Sequence, residues 1–247
     1  FTLWFSKKQM KIKSKEKIKS QIMDLFVVPI GLYEYPYHSE WKKVVYEIIE
    51  KYSDTKYEMP ADLGGIQHFF NSFDQDVFRN VKEPEFQEAI RDFELFTKTC
   101  LNSFFVDTFG KAEYNEMLIT NSWINVTRKG NWLDQHFHGN CILACNYFVN
   151  FTEEHTPLSF CNPFRPNGTH PAFSINTEDH TPYSVPTVAT DAKEGDLIIW
   201  QSGLYHGFNQ IKNDISEERV TLAMNACPDI VTTGPYRIKI GVCDESN

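Results

Sequence analysis

Met117-Leu-Ile-Thr-Asn-Ser-Trp-Ile-Asn-Val-Thr-Arg128 is a run of β-branched and aromatic residues that stops at Lys129-Gly130-Asn131, a triplet with turn chemistry. Similar short runs follow at Cys141 to Asn150, Leu158 to Phe160, Tyr183 to Thr190, Asp196 to Gln201, Arg219 to Cys227 and Tyr236 to Val242. Further turns fall at Asn167-Gly168 and Glu194-Gly195-Asp196. Many short strands at this spacing predict an all-β sandwich or barrel from Met117 onward.

Working back toward the N-terminus, the period changes to that of a helix. Val44, Val45, Ile48 and Ile49 recur at helical spacing within Glu40 to Tyr52, with Ser39 as the expected N-cap. A second helix is expected from Pro84 to Phe109, with Phe86, Ile90, Phe93, Leu101 and Phe105 as its apolar stripe and Gly110 as its stop. Between them, Met59 to Gly65 and Ile66 to Phe73 read as irregular. The expectation is one domain over 23–247, with 23–115 a helical support packed on a 116–247 sandwich core.

Twenty Phe, 11 Tyr and 5 Trp in 247 residues supply a real core and exclude a disordered or collagenous chain. The net charge of −9 hides an asymmetry. Phe1 to Ile22 hold seven lysines and one glutamate, so this +6 segment leaves −15 on the remainder. We read 1–22 as a basic leader or disordered arm outside the working domain, and the acidic body as a poor binder of phosphate backbone. No run approaches the roughly 18 apolar residues of a membrane span. Six cysteines without C-x-x-C spacing lie mostly in apolar stretches, the usage of a reduced, cytoplasmic protein. The Asn-x-Ser/Thr triplets at Asn125, Asn150 and Asn167 are taken as coincidental.

The chemistry is expected in Asp134-Gln-His136-Phe-His138. In an extended strand, residues two apart share a face, so both imidazoles can address one ion. Alone, that spacing is a weak signal, the alternative being two surface or hydrogen-bonded histidines. It gains weight from Glu194-Gly-Asp-Leu-Ile-Ile-Trp-Gln-Ser-Gly-Leu-Tyr-His206, followed by Arg219-Val-Thr221. His38, His68, His155, His170 and His180 lie in polar or proline-rich surroundings and read as surface or loop residues.

With Leu25-Phe26, Trp123-Ile-Asn125, Asn146-Tyr147, Phe160-Cys-Asn162-Pro163 and Gly195-Asp-Leu197, these elements resemble, in order and spacing, the iron(II) and 2-oxoglutarate dependent oxygenases. The likeness is strongest to a bacterial and phage group of unknown substrate, and it extends from residue 23 to about 228. The resemblance implies a mainly β fold with N-terminal helices, the double-stranded β-helix or cupin-like jelly roll. It implies Fe(II), 2-oxoglutarate as cosubstrate and O₂, with succinate and CO₂ released as a substrate is hydroxylated. It further implies His136, His138 and His206 as metal ligands, with Arg219, Thr221, Tyr147 and Asn125 on 2-oxoglutarate.

Arg is suited to the far carboxylate because its planar fork binds carboxylates through two parallel hydrogen bonds, and a hydroxyl two residues on shares its strand face. The departure is at position 138, where the wider superfamily carries Asp or Glu. Three neutral imidazoles leave a bound iron one unit more positive than two histidines and a carboxylate. Asp134 is the alternative ligand, or a group that holds a histidine ring. Ser202-Gly-Leu-Tyr in place of Pro-Ser, and Asn162-Pro163 in place of Asp-Pro, are milder departures.

Two other readings stand beside this one: a three-histidine cupin-type dioxygenase that does not use 2-oxoglutarate, and a non-catalytic jelly-roll binding module. The stretch 151–182, rich in Pro, Asn, Thr and Glu, is the expected substrate-facing lid. Substrates of the small-molecule or protein side-chain class are expected, nucleic acid and membranes are not, and a homodimer is compatible with the sequence.

Overall fold

The computed structural model describes residues 27–72, 75–164, 181, 185–208 and 213–241. The lysine-rich segment, Leu25-Phe26, Asn167, His170, His180, Cys243 and most of the expected lid lie outside the described residues.

Twelve strands are described: β1 Gly31–Glu34, β2 Lys56–Glu58, β3 Gln67–Phe69, β4 Met117–Thr127, β5 Leu143–Asn150, β6 Ser159–Cys161, β7 Thr187–Ala189, β8 Asp196–Gln201, β9 His206–Gly207, β10 Arg219–Pro228, β11 Ile230–Thr233 and β12 Tyr236–Lys239. The α-helices are α1 His38–Lys51, α2 Val77–Asn80 and α3 Gln87–Phe109. The major sheet is antiparallel with order β1-β8-β5-β10-β4-β3-β2, the minor sheet runs β7-β6-β9, and β11 and β12 form a separate ribbon.

The two sheets face each other as a double-stranded β-helix, with the helices on the outer face of the larger sheet. The expected strands of the second half are all present. The first half is more than a helical support, because β1 forms one edge of the major sheet and β2 and β3 the other. The segment read as irregular, Ile66 to Phe73, contains β3, a three-residue strand too short to show alternation. Ser39 is not the cap of α1, which starts one residue earlier after Tyr37 without a side-chain cap. In α2 the Asp76 carboxylate does cap, accepting from the backbone N–H groups of Phe78 and Arg79. Gly110 ends α3 at φ 85°, a backbone conformation that side chains disfavour.

Strand parity decides what reaches the interior. In β5, β8 and β10, the residues Cys145, Tyr147, Val149, Leu197, Ile199, Val220, Leu222 and Met224 pack outward beneath the helices. Their neighbours Ala144, Phe148, Ile198 and Trp200 pack between the sheets. Both faces are covered, so β5 and β10 are buried along their whole length and lack the polar alternation of a half-exposed strand. Phe93 of α3 pins the outer core, stacked on Trp41 at 4.5 Å and edge-on to Tyr147 at 4.7 Å. Phe93→Ala is expected to cost about 3–5 kcal/mol, a large part of the roughly 5–15 kcal/mol that holds a typical domain folded. A urea titration that shows a loss under about 1 kcal/mol would refute that placement.

No helix among the described residues is long and apolar enough to cross a membrane. Asn125 and Asn150 are buried within strands, which agrees with reading their sequons as coincidental.

Candidate metal centre

His136 and His206 exchange both backbone hydrogen bonds, at 3.0 and 2.9 Å, and so extend the minor sheet by one bridge. The N–H of His138 donates to the Ser202 carbonyl at 2.9 Å, which fixes the next same-face residue. Gly207 allows this pairing. A Cβ there would lie 2.6 Å from the Asp134 carbonyl oxygen and 2.8 Å from that of Leu133. The three rings therefore converge, with centroids 5.2, 4.3 and 5.0 Å apart, and a ligand-capable nitrogen on each lies within 4.8 Å of the others.

Each ring is aimed by its Nδ1, which donates to an acceptor: the Asp134 carbonyl at 2.8 Å, Asn225 Oδ1 at 2.5 Å and the Leu204 carbonyl at 2.9 Å for His136, His138 and His206. That arrangement leaves the Nε2 lone pairs for a cation, the usual way a ligating histidine is held. Burial lowers the pKa of His206 to about 3, helped by His136, and burial also lowers that of His138, so both rings are neutral as ligation requires. The donor set fits a divalent transition metal. Asp134 is exposed, and its carboxylate is not part of the cluster; its backbone carbonyl is what holds His136.

The cluster opens into a cavity of about 220 Å³. From β10, Arg219, Thr221 and Ala223 face it, and from β4, Trp123, Asn125 and Thr127. Arg219 is fully buried, with its guanidinium carbon 4.8 Å from the ring centre of Phe208, 5.4 Å from Phe148 and 5.6 Å from Phe151. No carboxylate pairs with it among the described residues, and its Nε finds no acceptor. Burial lowers its pKa to about 10, which still leaves it protonated at neutral pH. A buried cation without an anion is costly, and a carboxylate in the cavity would complete it.

Of the expected cosubstrate residues, Arg219, Thr221 and Asn125 reach this cavity, and Tyr147 does not. Tyr147 lies on the outer face of β5, where its hydroxyl is 2.7 Å from His38 Nδ1 in a network with Glu194 and Lys42. Adjacent strand residues point to opposite faces, so the polar β5 side chain at the cavity wall is Asn146, whose buried carboxamide has no hydrogen-bond partner among the described residues. His68 was also misplaced by the sequence. It is buried on β3, lines the cavity and lies 2.6 Å from Asn125 Oδ1. His155 is likewise buried, with Nδ1 accepting from the Thr152 N–H and Nε2 donating to the Glu217 carbonyl. A lone histidine without a spaced partner carries no sequence signal for either position.

Burial also lowers the pKa values of His68 and His155. Below about pH 6.5 the unfolded chain therefore binds more protons at His68, His138, His155 and His206 than the folded one. The metal-free protein is expected to lose stability progressively as pH falls from 6.5 toward the folded-state values. Urea midpoints in chelator at pH 8, 6 and 5 check this, and a flat profile would contradict it.

Residues 121–225 match a protein-family model described as "Putative 2OG-Fe(II) oxygenase". No curated protein sequence matches the chain. Among solved structures, the chain is similar to the non-heme α-ketoglutarate dependent carbocyclase SnoK from nogalamycin biosynthesis, with TM-score 0.55, 12% identity and coverage of 82% of this chain and 81% of that one. The epimerase SnoN in complex with Fe³⁺, α-ketoglutarate and nogalamycin RO gives TM-score 0.55 at 8% identity, covering 88% and 92%. A Pseudomonas putida prolyl-4-hydroxylase gives TM-score 0.50 at 9% identity, covering 80% and 92%. At these identities the structural likeness speaks to the fold, and the family match falls on the segment that contributes all three histidines, Arg219 and Thr221. Over residues 121–225 the chain is thus similar to the 2OG-Fe(II) oxygenase family, and its fold is that of the solved structures named.

Proposed function

We propose that the protein is an Fe(II)- and 2-oxoglutarate-dependent dioxygenase that hydroxylates its substrate. The observation that carries this reading is the pairing, in one cavity, of a three-histidine cluster with a buried arginine that has no carboxylate partner among the described residues. When bound, Fe(II) supplies oxidative decarboxylation of the 2-oxo acid to succinate and CO₂, coupled to transfer of one oxygen atom of O₂ to a substrate C–H bond. His136, His138 and His206 would hold the metal on one face and leave its other positions to small ligands. Arg219 would grip the far carboxylate of the cosubstrate, and Thr221, on the same strand face, would donate its hydroxyl to it. Asn125 and Asn146 offer amide N–H groups on the cavity wall. Leu158, Trp200 and Phe208 exclude water from it. The cavity is smaller than the roughly 300–1,000 Å³ of pockets that engulf drug-sized ligands, in keeping with a five-carbon diacid.

The test is turnover. Purified protein with Fe(II), ascorbate and 2-oxoglutarate should release succinate, and chelator should stop it. Absent succinate together with O₂ uptake that ignores 2-oxoglutarate would instead support the cupin-type reading, which the lack of a carboxylate ligand favours. Failure to bind Fe(II) or Co(II) near stoichiometry would support a binding module.

A further inference from the structure

We infer that His68, which lies outside the segment that matches the family, sets which end of the Asn125 carboxamide faces the cavity and so governs affinity for the anionic 2-oxo acid. The inference rests on the cosubstrate reading above. Asn125 is 9% exposed and sits between His68 of β3 and Thr221 of β10, its register partners on either side. A carboxamide has nearly the same shape either way round, but one end accepts and the other donates, so a half-turn reverses its polarity without a steric penalty. Asn125 Oδ1 lies 2.6 Å from His68 Nδ1, whereas Nδ2 reaches Thr221 Oγ1 only at 3.5 Å, a long contact that leaves the NH₂ group available to the cavity.

The pair has two matched states. With the proton on Nδ1, His68 donates to Oδ1, and Asn125 presents N–H to the cavity. With the proton on Nε2, the amide is reversed and presents its oxygen. A carboxylate held between Arg219 and Thr221 is bound by the first state and repelled by the second, so the anion selects the first. Strand pairing to β4 and the Tyr57 ring, stacked at 6.4 Å, keep the imidazole in position for this.

Without His68, Oδ1 loses its donor on the buried side, and the free protein turns that oxygen toward the cavity. An anion must then reverse the amide and leave an acceptor buried and unpaired, which corresponds to about a tenfold loss of affinity. Calorimetric titration of 2-oxoglutarate into the Co(II)-loaded protein tests this. His68→Leu should bind about tenfold more weakly, while Co(II) affinity stays unchanged. His68→Asn, whose amide N–H can take the place of Nδ1–H, should stay within about threefold of wild type. In an Asn125→Leu background, His68→Leu should have no further effect, because the two act as one unit.

Wild-type binding by His68→Leu, an equal loss in both backgrounds, or a loss in His68→Asn as large as in His68→Leu would each overturn the inference and leave the cosubstrate reading intact. Absence of 2-oxoglutarate binding by the wild-type Co(II) protein would overturn that reading, and the inference with it.

Discussion

His206→Ala is expected to weaken Fe(II) or Co(II) binding by more than about a hundredfold and to abolish succinate release. The size follows from where the ring sits. His206 is 4% exposed, bridged to His136 through both backbone bonds, and oriented by the Leu204 carbonyl. No other described side chain completes the cluster, since the Asp134 carboxylate is not part of it and Asn225 is committed to His138. Removing one of three ligands leaves two, from a single short segment, and a pair at i and i+2 holds a divalent ion weakly. Isothermal titration with Co(II) reads the loss directly. Retained stoichiometric binding would mean that the metal, if any, is held elsewhere.

Arg219→Met should separate function from stability in opposite directions. The guanidinium is buried among Phe148, Phe151 and Phe208, and among the described residues its Nε finds no acceptor and no carboxylate pairs with it. In the ligand-free protein that charge is a cost. Replacing a buried charge with an apolar side chain of similar volume is often neutral or stabilising by about 1–4 kcal/mol. The same change removes the two-pronged grip on a carboxylate, for which a loss of roughly a hundredfold in 2-oxoglutarate affinity is expected. Co(II) binding should persist, because the three histidine rings are held by the Asp134 and Leu204 carbonyls and Asn225 rather than by Arg219. Thermal melts and paired titrations with metal and 2-oxoglutarate measure all three quantities. A variant that loses metal and 2-oxoglutarate together would contradict the division of roles, and a strongly destabilised one would show that Arg219 has a structural partner.

What could be read before the structure depended on whether a residue belonged to a pattern. β4, β8 and β10 were legible because each is a long β-branched run bounded by turns. The three histidines and Arg219-Val-Thr221 were legible through their spacing. Tyr147 was placed wrongly for a reason visible in β5, where all eight residues are buried. With both faces covered, no polar alternation marks which neighbour faces inward, and an error of one position exchanged Asn146 for Tyr147. β3 escaped notice because three residues among glycines and prolines have no period, and His68 went unnoticed with it.

The two walls of the site differ in how they are fastened. β10 is hydrogen-bonded to β4 on one side and to β5 on the other, while the strand segment that carries His136 and His138 is tied by a single bridge and a few flanking bonds. Amide exchange should therefore be two-tiered: protons of β10 leave only when the whole domain unfolds, and those around His136 and His138 leave through local opening. The site behaves as an anvil and a jaw. The cosubstrate seat is built in when the chain folds, and a cation that bridges the jaw to His206 would slow exchange there while leaving the anvil unchanged. Metal loading would then register as protection of one wall only.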